Sequence, residues 1–214
     1  MKIGIIIAAA TLALFAAQAK AGPIPFGNTG TVAPTNTFTA IATGYVDSWF
    51  EGSSAGDTDE IQIVDLTHPA SSTWFIINHS TAPGTLFPDV LPVTAGDVLE
   101  IQLSNTSTGD ILTSDPSVNP DQVNHAYGTP WPGGDPLNAG FPVPANYGGS
   151  PVIFVGMEDL TTGPGGQGSD LDYNDVETLF DNIQITPTPE PGSFLLLGTG
   201  LLGLAGLVRR KFRA

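Results

Sequence analysis

Between Gly156 and Val176 the chain reads Gly-Met-Glu-Asp-Leu, then a glycine-rich stretch from Thr161 to Ser169, then Asp-Leu-Asp-Tyr-Asn-Asp-Val. Glu158, Asp159, Asp170, Asp172 and Asp175 place five carboxylates within 18 residues, and Asn174 adds an amide oxygen. Oxygen donors at this density suit a hard cation, and Ca2+ is the ion expected for them outside the cytoplasm. Asp170, Asp172 and Asn174 stand two apart, as the first ligands of an EF-hand loop do. Asp175 then occupies the place where that loop needs glycine for its turn. The spacing therefore rejects an EF-hand and favours an oxygen cage on a β-loop.

Electrostatics sharpen the expectation. Two carboxylates about 5 Å apart repel by roughly 3 kcal/mol at an effective dielectric near 20. Several such pairs would consume much of a domain's stability of about 5–15 kcal/mol. Either the side chains splay into water, capping turns and solvating the surface, or a positive charge sits among them. All six basic residues lie at the chain ends: Lys2 and Lys20, then Arg209, Arg210, Lys211 and Arg213. All 21 acidic residues lie between those ends, so the body can form no carboxylate–ammonium pair of its own. Such a polyanion repels phosphate backbones, which excludes nucleic acid as a partner. Asn119, Asp121 and His125 form a second candidate group, placed on a long loop that could approach the acids. A hydrogen-bonded loop histidine is the plainer reading of His125, because neutral imidazole suits zinc better than calcium.

Two other chemistries draw on the same residue types. With no cysteine, no Gly-x-Ser-x-Gly elbow and only His68, His79 and His125 as bases, nucleophilic catalysis has little to work with. Glu158 and Asp172 could face one another as a glycoside-hydrolysing pair, but acids this dense more often hold metal. The expectation is a protein that is not an enzyme. Trp131, Phe141 and Tyr147 could stack on sugar rings, giving a polysaccharide-binding module, or could pin their loop to the core.

The elements that must position these residues read as strands. Candidates are Phe38 to Val46, Glu60 to Leu66, Thr73 to Asn78, Val98 to Leu103, Pro151 to Gly156 and Val176 to Ile185. Leu99, Ile101 and Leu103 alternate with polar residues, as one buried strand face should. Trp74-Phe75-Ile76-Ile77 is apolar on both faces and reads as a central strand. Thr113 to Gly149, rich in Pro, Gly and Asn, lacks strand character and reads as a long loop. With 26 glycines and 19 prolines and no stripe at helical spacing, the body is expected to be all-β, a jelly-roll-like β-sandwich over residues 37–186. Lacking disulfides, it must be held by its core, by bound metal, or by both.

The ends are addresses. Lys2, the apolar run from Ile3 to Ala17 and the small residues around Ala19 and Ala21 form a cleavable signal peptide over residues 1–21, followed by an extended arm over 22–36. Ile185 to Pro191 reads as a stiff, extended spacer. Phe194 to Val208 is apolar; as a helix it spans about 22 Å, short of a hydrocarbon core of roughly 30 Å. The basic cluster at Arg209, Arg210, Lys211 and Arg213 keeps that end on the cytoplasmic side.

Pro189-Glu190-Pro191, the glycine-bearing apolar run and the arginine-rich end together resemble the PEP-CTERM sorting signal of Gram-negative bacteria. That resemblance implies recognition by an exosortase-type membrane protease and transient insertion in the inner membrane. It further implies association with exopolysaccharide and delivery to the cell surface or biofilm matrix. The body, through its Gly-x-Glu-Asp and Asp-x-Asp-Tyr-Asn-Asp-Val segments, resembles the bacterial domain of unknown function 4114, often found on surface-associated proteins. Supporting segments are Phe50 to Gly56, Phe75 to His79, Ala95-Gly96-Asp97 and Asn119 to Ala126. That resemblance implies a β fold and a surface context but no reaction.

Overall fold

The computed structural model describes residues 30–134 and 143–187, and every regular element in those residues is a strand. The signal peptide, Phe141, the Pro-Glu-Pro tripeptide, the apolar tail and its basic stop lie outside the described residues. The strands are β1 (Asn36–Ala40), β2 (Gly44–Gly52), β3 (Asp59–Asp65), β4 (Ala70–Ser71), β5 (Ile76–Ile77), β6 (Leu86–Val93) and β7 (Val98–Asn105). They continue with β8 (Asp110–Thr113), β9 (Ala126–Pro130), β10 (Asn146–Tyr147), β11 (Ser150–Pro151), β12 (Ile153–Met157), β13 (Val176–Phe180) and β14 (Ile183–Pro187).

One sheet runs β14-β1-β7-β3-β4, with β5 also on β3 and β8 also on β7; the other runs β6-β2-β13-β12-β9. All pairings within them are antiparallel. The two sheets pack face to face over one core, to which β3 and β7 bring Ile61, Ile63, Leu99, Ile101 and Leu103 and the facing strands bring Phe50, Val155, Met157 and Phe180. The sandwich expected from composition is therefore present. The outer face of the second sheet is covered as well: Trp49, Trp131, Phe154, Tyr173 and Leu179 form a smaller core there. β12 is consequently buried at every residue.

Four sequence expectations need correction. Phe38 to Val46 is two strands, because at Ile41–Thr43 the chain leaves one sheet for the other. Val176 to Ile185 breaks in the same way at Asp181–Asn182. These crossings lie side by side: Asn182 accepts from the Ala42 N–H (2.9 Å) and donates to the carbonyls of Ala42 and Tyr45 (3.0 Å each). Hydrophobic pattern runs straight through both breaks, since residues on either side are buried in the same core.

Thr73 to Asn78 is not a central strand. Only Ile76–Ile77 pairs, at one end of β3, and Ile77 is exposed. Ahead of it the Ser72 hydroxyl accepts from the Ile63 N–H (3.0 Å), a side chain standing where a strand would offer a carbonyl. Conversely, the long loop from Thr113 to Gly149 contains β9, which pairs with β12 over five residues. Gly128 and Pro130 disguised it. A Cβ on Gly128 would lie 3.1 Å from the Phe38 ring, and Pro130 is tolerated because β9 is an edge strand.

Candidate metal centre

The acids gather at one end of the sandwich for reasons of register. Met157 pairs with Val176, so Glu158 and Asp159 leave β12 directly across from Asp175, which enters β13. The 18 residues between 158 and 175 are thus one hairpin connection. Tyr173 pins it to the outer core: its side chain is buried, its hydroxyl donates to the Asn124 carbonyl (2.9 Å) and accepts from the Ala33 N–H (2.8 Å). Gly156 lets the connection close down on β12, since a Cβ there would sit 2.2 Å from the Tyr173 carbonyl oxygen.

Within this connection Leu171 and Tyr173 both have φ of 56°, a conformation that bulky residues avoid. The alternation turns successive N–H groups to one side, as in an anion-binding nest. The anion they meet is Glu158, whose carboxylate accepts from the Leu171 N–H (2.8 Å), the Tyr173 N–H (3.4 Å) and the Ser169 hydroxyl. Carboxylate oxygens of Glu158, Asp170 and Asp172 all lie within 4.8 Å of one another. Asn174 is turned away from this trio as a ligand: its amide donates to Asp172, and its carbonyl oxygen meets the Ser54 hydroxyl. Burial pushes Glu158 up to about 7, against the hydrogen bonds from Ser169 and Leu171, and burial with the charge of Asp170 raises Asp172.

Asp159 and Asp175, expected in the same cage, stand toward a second group, although Asp175 also meets the Glu158 side chain. The Asp159 N–H donates to Asp175 (3.0 Å), and the Asn105 amide donates both to the Asp159 carbonyl (3.1 Å) and to Asp57 (3.0 Å). The Asn78 amide donates to the Asp57 carbonyl (2.9 Å) and to Asp59 Oδ2 (2.8 Å). Burial, then the charges of Asp175 and Asp57, push Asp59 up to about 7. Burial also raises Asp159, to about 6, and Asp175, to about 7, with Asp59 and Asp159 respectively as their main repelling neighbours. Asp57 and Asp59 were missed in the sequence, although a signal was there. In β3, Asp59, Ile61, Ile63 and Asp65 alternate on the buried face, so two of four inward positions are acidic.

The lower-ranked group is placed nearby but is already occupied. Asn119 uses its amide to bind the backbone of Thr113 and Val123. His125 is fully buried, with Nε2 at 3.1 and 3.2 Å from the Asp121 oxygens and Nδ1 at 3.3 Å from the Glu158 carbonyl. Burial of Asp121 is outweighed by donors from Thr162, Val123 and His125, which hold its carboxyl below the ordinary value. A separate trio, Asp65, His68 and Asp97, sits at the far end of β3 and was not anticipated. Of the aromatics, Trp131 is only 4% exposed, stacked on Phe154 and donating to the Val143 carbonyl (3.0 Å), so it offers no face to a sugar. Tyr147 stands edge-on to Trp49 and keeps 38% of its surface.

Fold and site together define an acidic two-sheet sandwich with its carboxylates concentrated on one hairpin connection. Residues 83–180 match the family model of a domain of unknown function, DUF4114, and residues 187–211 match the PEP-CTERM protein-sorting motif. The sorting motif makes this an exported protein bearing a tail of the kind that an exosortase, a membrane protease, recognises. No curated protein and no solved structure matches the chain.

Proposed function

We propose that this protein is a non-enzymatic component of the cell surface or exopolysaccharide matrix of a Gram-negative bacterium, its β-sandwich stiffened by Ca2+ at Glu158, Asp170 and Asp172. The observation that carries the reading is the trio itself. Three carboxylates converge within 4.8 Å on a backbone shaped to hold one of them, in a body with no lysine or arginine to neutralise them. A catalytic role for Glu158 with Asp172 is disfavoured, because Glu158 is fully buried and both its oxygens already accept hydrogen bonds from the loop. Exopolysaccharide is the partner such a setting supplies, and Tyr147, unlike Trp131, keeps surface to meet it.

Thermal unfolding of the exported chain in Ca2+ and in chelator tests the reading. An ion present at about a hundred times its dissociation constant adds about 2.7 kcal/mol, a clear rise in midpoint. An unchanged midpoint together with no heat on calcium titration overturns it.

A further inference from the structure

Asp57, Asp59, Asp159 and Asp175 come from both sheets. The first two lead into β3, and the last two bracket the β12–β13 connection. Asn105, which pairs with Asp59 in the β3–β7 ladder, ties Asp57 to Asp159 through one amide nitrogen, and Asn78 ties Asp57 to Asp59 through another. Both asparagines spend their carbonyl oxygens on backbone N–H groups, so each presents only its NH2 to the acids. The acids are positioned by the two amides and neutralised by neither.

Within this group of acids and amides, one buried oxygen has no donor. Asp59 is 0% exposed, its Oδ2 accepts from Asn78, and its Oδ1 is buried with no hydrogen-bond partner. After burial, the charges that act on Asp59 are those of Asp175 and Asp57, and both repel it. A buried carboxylate oxygen lacking a donor is destabilising unless a cation takes the donor's place.

We propose that Asp57, Asp59, Asp159 and Asp175 form a second calcium site, distinct from the Glu158 trio, which clamps one sheet of the sandwich to the other. It rests on the reading of the protein as a calcium-bound domain but uses different ligands, two of which precede the DUF4114 match. Asn78 and Asn105 are positioning residues for the clamp.

Calorimetric titration of the full exported chain with CaCl2 tests this, with Asp59→Asn, Asp57→Asn and Asp172→Asn compared. The expectation is two ions per chain, falling to one in each variant. Asp59→Asn is further expected to unfold at a higher temperature than the parent in chelator, because a repelling charge is gone, yet to gain less from Ca2+. Asp57→Asn, only partly buried, repeats the count should Asp59→Asn misfold. A parent that binds one ion, retained by both Asp57→Asn and Asp59→Asn but lost by Asp172→Asn, overturns the second site and leaves the first standing. One ion lost by the Asp57 and Asp59 variants but kept by Asp172→Asn supports the clamp and overturns the trio. No binding at all overturns both.

Discussion

Glu158 and Asp59 are both fully buried carboxylates at the same end of the sandwich, yet they are kept there in opposite ways. Glu158 is held mainly by donors: a hydroxyl and two N–H groups of its own connection aim at it, with Asp175 as its repelling neighbour. Asp59 has one amide donor and one buried oxygen with none. The first is built into the backbone that carries it, so removing it should damage the fold in any buffer. The second is a net electrostatic burden in the metal-free chain, so removing its charge should help until calcium is added. Burial alone does not tell a structural acid from a binding one; the identity of its neighbours does.

The strongest way to break the contrast is Gly156→Ala. The added methyl would collide with the Tyr173 carbonyl, lift the connection from β12 and remove Glu158's donors without touching Asn78 or Asn105. A loss of about 3 kcal/mol in denaturant unfolding is expected. Next is Glu158→Ala, which strands the Ser169 hydroxyl and Leu171 N–H and should cost about 2 kcal/mol even in chelator. Glu158→Gln, keeping an acceptor oxygen, should recover much of that loss while still weakening calcium binding.

A graded effect should follow pH in the metal-free protein. Asp59, Glu158 and Asp175 are raised to about 7, Asp159 to about 6, all from ordinary values near 4. Between those values the folded chain binds more protons than the unfolded one, so stability falls as pH rises from about 4 to about 7. Midpoints measured in chelator should drop across that window, and saturating Ca2+ should flatten the drop by occupying the ionised groups. A midpoint that rises from pH 4 to 7 in chelator would contradict the assigned neighbours. The smallest effect is expected for His68→Ala. Its side chain is 67% exposed and pairs with Asp97 (2.9 Å), whose other oxygen is already held by the Thr94 N–H (2.7 Å), so the midpoint should not move measurably.

How far the sequence could be read follows the same division. The loop acids were legible because they are contiguous and punctuated by glycine, and β7 because its alternation is uninterrupted. Asp57 and Asp59 escaped because they lie about a hundred residues from their partners and their neighbours in sequence look like an ordinary turn before a strand. Tyr173 read as part of an acidic motif, but its work is done by the ring and hydroxyl that fasten the connection to the outer core. The sheet crossings at Ile41–Thr43 and Asp181–Asn182 were hidden because both flanking strands feed one core. β9 was hidden because the residues that fit it under Phe38 and at a sheet edge are those that usually signal a loop.

The ladder between the first and last strands has a mechanical consequence. Asn36 and Pro187 are register partners, so the chain enters and leaves the sandwich at one corner, and the sorting motif begins at residue 187 itself. A tether acting through that tail pulls along β14, against five residue pairs shared with β1, and β1 is braced in turn by β7. Loaded in that direction, the hydrogen bonds are sheared together and do not peel open one at a time. A domain tethered through that tail thus hangs from a strand paired along its whole length.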